Sequence, residues 1–307
     1  MKPSLRNWLD ALALVVLWTG FIVFARFAVK KVFTPYDMMF LRLGFAAMVA
    51  LGFLAWRANR GVPMFGNVSP PRMLFLGVFG GLGFTSLAFM AFSFAPAAHG
   101  AVLMPGTLPF STAILAWLFL GERIAGRKIA CLGLILLGVL FMGYQAYTTS
   151  TYAAVNDTTW KGDLIFPFAS GCWAVYVVFS RRWGVKPMDA VIIVPLVSFL
   201  MLVPFYVWLA PKNLPDASAF DILANGIFQG WMAYLLSMWL FMRVMQAFGP
   251  VKTTMLTAWA PILSSLAAVP LLDEHLSIYV VAGLLCVSFG TVVGVSSPNE
   301  PRRVEAT

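Results

Sequence analysis

The chain has 307 residues, of which 61% are apolar and only 11% are charged, whereas soluble domains have about 45–50% apolar and about 25% charged residues. Its mean hydropathy of +0.85 excludes an ordinary soluble protein and indicates an integral membrane protein. The formal net charge of +9 does not indicate a nucleic-acid partner, because the basic residues lie in short stretches between apolar runs, where they orient helices in a bilayer.

Apolar segments long enough to cross a bilayer follow one another along almost the whole chain. A hydrocarbon core of about 30 Å needs about 20 mostly apolar residues in a helix. The first run follows Lys2 and Arg6, but it is long enough to span and many similar runs follow it, so we interpret it as an uncleaved first helix. The predicted spans are 9–28, 38–56, 73–94, 97–119, 127–145, 163–182, 189–209, 220–246, 253–272 and 276–296.

The positions of the basic residues predict how these spans are oriented. With the N-terminus inside, 15 lysines and arginines fall on the inner side and 4 on the outer side, while Arg26 and Arg42 lie within apolar runs. Cytoplasmic loops of membrane proteins carry an excess of Lys and Arg. We therefore expect an inner-membrane protein whose two termini are cytoplasmic.

The sequence also contains an internal repeat. A shift of 152 residues superimposes identical residues at both the start and the end of two halves. The matching pairs include Pro35 with Pro187, Asp37 with Asp189, Pro109 with Pro261, Glu122 with Glu274 and Gly138 with Gly290. Each half has five spans, an odd number, so the second half enters the membrane from the opposite side. This pattern is typical of transporters with inverted repeats.

The predicted fold class is therefore an all-α integral membrane protein with ten transmembrane helices in two inverted five-helix repeats. The first repeat is expected at 1–149, an outer linker at 150–161, the second repeat at 162–297 and a cytoplasmic tail at 298–307.

Two stretches of sequence carry a family resemblance. One half ends in PFSTAILAWLFLGER, residues 109–123, and the other in PILSSLAAVPLLDEH, residues 261–275. These stretches resemble the EamA repeats of the drug/metabolite transporter superfamily, although DE replaces GE in the second. The resemblance covers nearly the whole chain and implies a ten-helix transporter with a central cavity.

A narrower resemblance lies within that superfamily. Trp18 in the stretch VLWT, Arg26, His99, WAVY at 173–176 and PILSSLAAV at 261–269 are similar to the YddG-type aromatic amino acid exporters. The resemblance implies export of aromatic and other neutral amino acids. A drug or another metabolite remains an alternative substrate, because one fold serves many substrates in such superfamilies.

Large aromatic residues mark the expected transport site. Such a site lies near the bilayer midplane, where helices of both halves meet. Lipid-facing Trp side chains prefer the membrane interface, so Trp at mid-depth favours a cavity lining, although simple helix packing would give the same pattern. The candidate substrate-binding residues are Trp18, Phe21, Phe84, Thr107, Trp173, Tyr176, Trp231, Tyr234 and Trp259.

Further residues are candidates for charge contacts or gating. Arg26, towards the outer end of the first span, either meets a substrate carboxylate or extends to the interface. His99 can titrate near neutral pH, but a histidine at a hairpin is more often structural or solvated. Pro109 and Pro261 interrupt corresponding helices and free backbone groups that can line a cavity, unless they serve only as kinks.

The mechanism predicted from these residues is facilitated transport. No Asp or Glu lies at mid-depth in any predicted span, and buried carboxylates are the usual proton carriers of coupled transporters. Only a few cationic groups lie within the spans, which disfavours a nucleotide sugar as the substrate. We therefore expect a small-molecule substrate, a surrounding lipid bilayer, no nucleic-acid partner and a monomer or weak dimer.

An enzyme is not expected, and neither is a cofactor or a metal. His99 and His275 are the only histidines and both lie at predicted loops, so no convergent nucleophile, base or metal cluster is apparent. The three cysteines lie within apolar runs without metal-ligand spacing. A membrane receptor or scaffold that binds without transport remains the alternative from another class.

Overall fold

The computed structural model describes residues 4–28, 33–95, 97–122, 126–151, 159–260, 262–263 and 278–296. Over these residues the chain is all-helical and has no strand, which confirms the predicted all-α class. Most of the described residues lie in long apolar helices.

The described helices follow the predicted spans closely, but residues 264–272 of the ninth predicted span, 253–272, lie outside the described residues. The first half contains α1 (Leu5–Ala28), α2 (Pro35–Asn59), α3 (Pro70–Phe94), α4 (Ala97–Leu120) and α5 (Gly126–Thr151). The second half contains α6 (Thr159–Arg182), α7 (Pro187–Trp208), a 3-10 turn (Leu214–Asp216), α8 (residues 219–248), α9 (Pro250–Thr257) and α10 (Ile278–Ser296). Among the described residues, α2, α3, α4, α6 and α7 carry stretches long and apolar enough to cross a membrane.

Proline and a capping box fix where corresponding helices of the two halves begin. Pro35 opens α2 and Pro187 opens α7, and proline suits the first helical turn because no backbone donor is needed there. The Thr34 side chain accepts from the Asp37 amide while the Asp37 carboxylate accepts from the Thr34 amide. This reciprocal cap satisfies backbone donors that would otherwise lack partners.

Within the described part of the chain, α3 and α8 depart from regular α geometry. Val78–Gly83 in α3 and Gly226–Leu236 in α8 are π-helical. Glycines in or beside these turns allow close packing: a Cβ on Gly77 would lie 2.5 Å from Val197 of α7, and one on Gly230 would lie 2.6 Å from Phe45 of α2. Each π-helical turn therefore brings its helix against a helix of the other half.

Polar contacts join α2 and α7 at both of their ends. Near the start of α2, Asp37 accepts from the Tyr206 hydroxyl at 2.5 Å and from the Asn213 amide at 3.0 Å. Near the start of α7, Asp189 lies 2.8 Å from the Arg57 guanidinium. The two helices are therefore antiparallel, and we call their shared interface the α2–α7 seam.

A second pair, α5 and α10, packs backbone against backbone. A Cβ on Gly138 would lie 2.7 Å from the Gly283 carbonyl oxygen, and one on Gly290 would lie 2.8 Å from the Cys131 carbonyl oxygen. No side chain fits at such distances. These glycines therefore allow tight packing between α5 and α10 within one chain.

We predict that Gly138→Ala destabilises the protein, whereas Gly133→Ala does not. A methyl group at Gly138 overlaps α10, and overpacking typically costs about 1–3 kcal/mol. Gly133 lies on the same helix, but a Cβ there would have no neighbouring atom within 4 Å, and Ala favours the helix by roughly 0.5–1 kcal/mol. Thermal unfolding of both variants in detergent measures the difference, and equal melting temperatures would contradict the packing described here.

Candidate functional site

Aromatic side chains from both halves meet in one buried group. The ring of Trp173 on α6 has its centroid 5.2 Å from Phe84, 5.0 Å from Tyr176 and 5.5 Å from Phe241. Trp18 on α1 stacks on Phe241 at 6.1 Å. We call these residues the aromatic cluster. It joins α1, α3, α6 and α8, and of its members Trp18, Phe84, Trp173 and Tyr176 are candidates from the sequence.

Two polar groups in the aromatic cluster lack a hydrogen-bond partner among the described residues. They are the indole Nε1 of Trp173 and the hydroxyl of Tyr176, and the two side chains are 5% and 0% exposed. Buried polar groups are normally hydrogen-bonded, and leaving one unsatisfied costs roughly 1–3 kcal/mol. The cluster therefore combines an apolar surface with two groups that can hydrogen-bond to a bound molecule. The Trp173 indole can donate, and the Tyr176 hydroxyl can donate or accept.

Glycine makes room for this arrangement. A Cβ on Gly80 would overlap the Tyr176 ring, and the Gly80 carbonyl accepts from the Tyr234 hydroxyl at 3.3 Å. The π-helical turn of α3 is thus the point at which Tyr176 of α6 and Tyr234 of α8 come close together. Tyr234, another candidate from the sequence, borders the aromatic cluster through this turn.

A buried arginine lies next to Tyr234. The Arg42 guanidinium is 4.9 Å from the centroid of the Tyr234 ring and donates to the Gln229 side-chain oxygen at 2.9 Å. Arg42 lies within an apolar run, where ionisable residues mark functional sites, but it is not among the candidate site residues from the sequence.

Three further candidates have described contacts with other residues. Trp231 is 39% exposed and donates from its indole to the Phe45 carbonyl at 2.9 Å. Trp259 lines a cavity of about 430 Å³ between α1 and α10, together with Trp8 and Val292. Thr107 donates to the Leu103 carbonyl of its own helix at 2.7 Å. The roles of these three residues in substrate binding stay predictions.

For some candidates from the sequence, the structure does not describe the side chain or its contacts. Phe21 and Arg26 lie on α1, but their side chains are outside the described part, and Pro261 lies outside the described residues. Pro109 is within α4, which continues as a helix through it. Their proposed roles in binding or gating stay predictions.

His99 forms a contact between the two halves. Its Nδ1 lies 2.8 Å from the Asp163 carboxylate, which links α4 to α6. The His99 residue is only 6% exposed, so it is not the solvated histidine that a hairpin position favours. The structure gives it a buried contact between the halves, which fits the structural role considered from the sequence, while a role in charge contact with substrate or in gating stays a prediction.

Glu122 lies in the connection between α4 and α5. Burial raises the pKa of its carboxyl, and the positive charges of Lys128 and Arg181 offset part of that rise. The matching residue of the other half, Glu274, lies outside the described residues. The Glu122 carboxyl therefore interacts electrostatically with Lys128 on α5 and with Arg181 at the end of α6.

The comparison with known families follows the same division into halves. The model of the EamA-like transporter family matches residues 8–144 and again 160–296. The chain belongs to the EamA-like transporter family. This confirms the resemblance drawn from residues 109–123 and 261–275, and together with the apolar helices it identifies a multi-pass membrane protein.

Relatives of this EamA-like transporter agree with that assignment. It is 28% identical over 178 residues to a Bacillus subtilis (strain 168) protein named "Uncharacterized transporter YyaM". The match spans 56% of this chain and 57% of that relative, a little over half the length of each. One similar crystal structure, whose description gives no protein name, is 20% identical in sequence and has a TM-score of 0.72. The match covers 94% of this chain and 96% of the chain in that structure. That likeness shows a shared fold.

The described part of the EamA-like transporter holds no group of three or more His, Cys, Asp or Glu side chains placed to bind a metal ion. The site chemistry available there is consequently aromatic surface, the Arg42 cation and a small number of hydrogen-bonding groups.

We predict that Tyr176→Phe does not lower the free energy of unfolding and raises it by up to about 1–3 kcal/mol, because the variant removes a buried hydroxyl that has no partner among the described residues. Tyr206→Phe is the matched control, since that hydroxyl donates to the Asp37 carboxylate. Its loss is expected to cost about 1.5–3 kcal/mol. Thermal or denaturant unfolding in detergent compares the two, and equal losses would show that the Tyr176 hydroxyl has a structural role.

Proposed function

We propose that this EamA-like transporter exports aromatic and other neutral amino acids, or related small metabolites, across the inner membrane by alternating access. The observation that carries the proposal is the aromatic cluster, with the Trp173 indole and the Tyr176 hydroxyl lacking partners among the described residues. Ligand sites are mostly apolar and contain a few placed polar groups that fix orientation. An aromatic or aliphatic side chain would pack on the rings while its polar end meets these groups.

The proposed substrate also fits the charge beside the aromatic cluster. Arg42 packs on the ring of Tyr234. The Tyr234 hydroxyl donates to the carbonyl of Gly80, and Gly80 also packs on the ring of Tyr176. A guanidinium is suited to bind a carboxylate because its donors form a planar fork. An amino acid offers a carboxylate together with an apolar side chain.

Two contacts between α5 and α10 support an inverted repeat, because moving each residue by 152 positions converts one contact into the other. Adding 152 to Gly138 gives Gly290, and subtracting 152 from Gly283 gives Cys131. The contact of Gly138 with Gly283 is therefore matched by that of Gly290 with Cys131. Contacts related in this way are expected when two copies of one unit are related by a two-fold axis.

The α2–α7 seam adds a second reciprocal pair. Asp37 and Asp189 occupy the same position in the two halves, and each bonds to the far end of the opposite helix. We propose ten transmembrane helices in two inverted repeats, with both termini in the cytoplasm. The excess of basic residues in the connections assigned to the inner side supports this orientation.

Facilitated transport fits the positions of the acidic groups. Asp10, Asp37, Asp163 and Asp189 each lie within the first two turns of a helix, where they have arginine, histidine or hydroxyl partners. Acidic groups at helix ends with such partners are less suited to carry protons than a carboxylate at mid-depth.

We predict that the purified protein in liposomes transports phenylalanine, threonine and methionine without an imposed pH gradient. Trp173→Ala should lower the flux on the order of tenfold, equivalent to about 1.4 kcal/mol of lost interaction. Trp173→Phe keeps an aromatic ring and should retain part of the flux. Uptake of radiolabelled substrates measures both effects.

Trp208→Ala is the control for this experiment, because Trp208 is 78% exposed at the end of α7 and should leave the flux unchanged. Absence of flux for all three substrates would contradict amino acid transport while leaving the family assignment in place. Flux that appears only with a pH gradient would contradict the facilitated mechanism.

The proposed topology makes a separate prediction for a variant whose native cysteines are replaced by serine. Lys212→Cys should react with a membrane-impermeant maleimide in intact cells, since Lys212 lies in the connection assigned to the outer side. Lys186→Cys should react only after the membrane is permeabilised. The opposite pattern of labelling would invert the orientation.

A further inference from the structure

A cavity separate from the aromatic cluster lies between α2, α3 and α7. Its volume is about 590 Å³. Pro35 and Tyr36 line it from the first turn of α2, Phe94 from the end of α3 and Phe205 from the last turn of α7. The cavity, which we call the lateral cleft, therefore lies near one membrane face, the outer face in the proposed orientation.

The lateral cleft opens towards the surface that faces lipid. Met90, Met201 and Phe205 line it and are 43%, 38% and 41% exposed. They lie on apolar helices long enough to cross a membrane, so their exposed faces are in the hydrocarbon region or at its edge. The cleft is thus continuous with the space that lipid chains occupy.

The lining of the lateral cleft suits an apolar, flexible molecule. No charged side chain lines it among the described residues, and the hydroxyl of Ser93 is already used, since it donates to the Met90 carbonyl at 2.6 Å. Met39, Met90 and Met201 contribute unbranched side chains, which adapt to the shape of what they contact. A ligand with charged groups would find no oppositely charged side chain among the described lining residues.

A cation lies beside the mouth of the lateral cleft. The Thr34 hydroxyl donates to the Pro211 carbonyl at 3.2 Å, which holds the connection after α7 against the start of α2. Lys212 follows in that connection, is exposed, and has its ammonium group 5.5 Å from the centroid of the Tyr206 ring. At this level of the membrane an ammonium group attracts lipid phosphates.

We propose that the lateral cleft holds one acyl chain of an outer-leaflet phospholipid, whose phosphate lies beside Lys212. The chain fills the space between α2, α3 and α7, where water would find few hydrogen-bonding partners. This site is distinct from the proposed substrate site, and its occupancy does not depend on which solute the protein transports.

The test uses the full-length protein purified in detergent and native mass spectrometry with added phosphatidylglycerol. Ser86 lines the lateral cleft, so Ser86→Phe fills it and should retain one phosphatidylglycerol molecule fewer than the parent. Leu200→Phe is the control, since Leu200 lies on α7 with 69% exposure and is outside the cleft lining. It should retain as many lipids as the parent.

A second variant tests the headgroup contact while leaving the cleft open. Lys212→Gln should remove the preference of the parent for phosphatidylglycerol over diacylglycerol, which has the same chains but no phosphate. Size-exclusion chromatography establishes that each variant is folded. Equal lipid retention by the parent and folded Ser86→Phe would overturn the proposal. A preference for phosphatidylglycerol that survives Lys212→Gln would overturn the placement of the phosphate.

Discussion

The scarcity of water around buried groups is the constraint on which this structure depends, because a buried charge needs a partner within the protein. The α2–α7 seam shows how that need organises the fold. Asp37 bonds to Tyr206 and Asn213, and Asp189 bonds to Arg57. Each contact links residues about 130–180 positions apart in the chain, so satisfying a charge at a helix end also fixes one half against the other.

Close approach of helices follows from small residues rather than from apolar attraction, since lipid chains are as apolar as the helix surfaces. Gly138 and Gly290 let α5 and α10 touch through their backbones, while Gly80 lets Tyr176 enter the interior beside the π-helical turn of α3. Such turns recur at functional sites in other proteins. Here, packing glycine and unusual helix geometry occur together at the border of the aromatic cluster.

Position along a helix predicts depth, from a rise of about 1.5 Å per residue, but it does not predict direction around the helix axis. The residues expected at mid-depth are Trp18, Phe84, Thr107, Trp173, Trp231 and Trp259, and of these Trp18, Phe84 and Trp173 meet in the aromatic cluster. Direction depends on which helix packs alongside and on local winding. Trp231 and Tyr234 share one face in a regular α-helix, but the π-helical turn of α8 holds more residues per turn, so Trp231 is 39% exposed while Tyr234 is buried.

Composition and span length were enough to determine that the chain is an all-helical membrane protein, because each segment carries these properties independently of its neighbours. The EamA assignment came from the resemblance of residues 109–123 and 261–275 to a known family, which the family model confirms. The tertiary structure alone decided that Arg42 lies beside Tyr234, that Trp259 shares a cavity with Trp8, and that His99 pairs with Asp163. Those relations join distant parts of the chain, and helix packing sets them, so no local pattern in the sequence contains them.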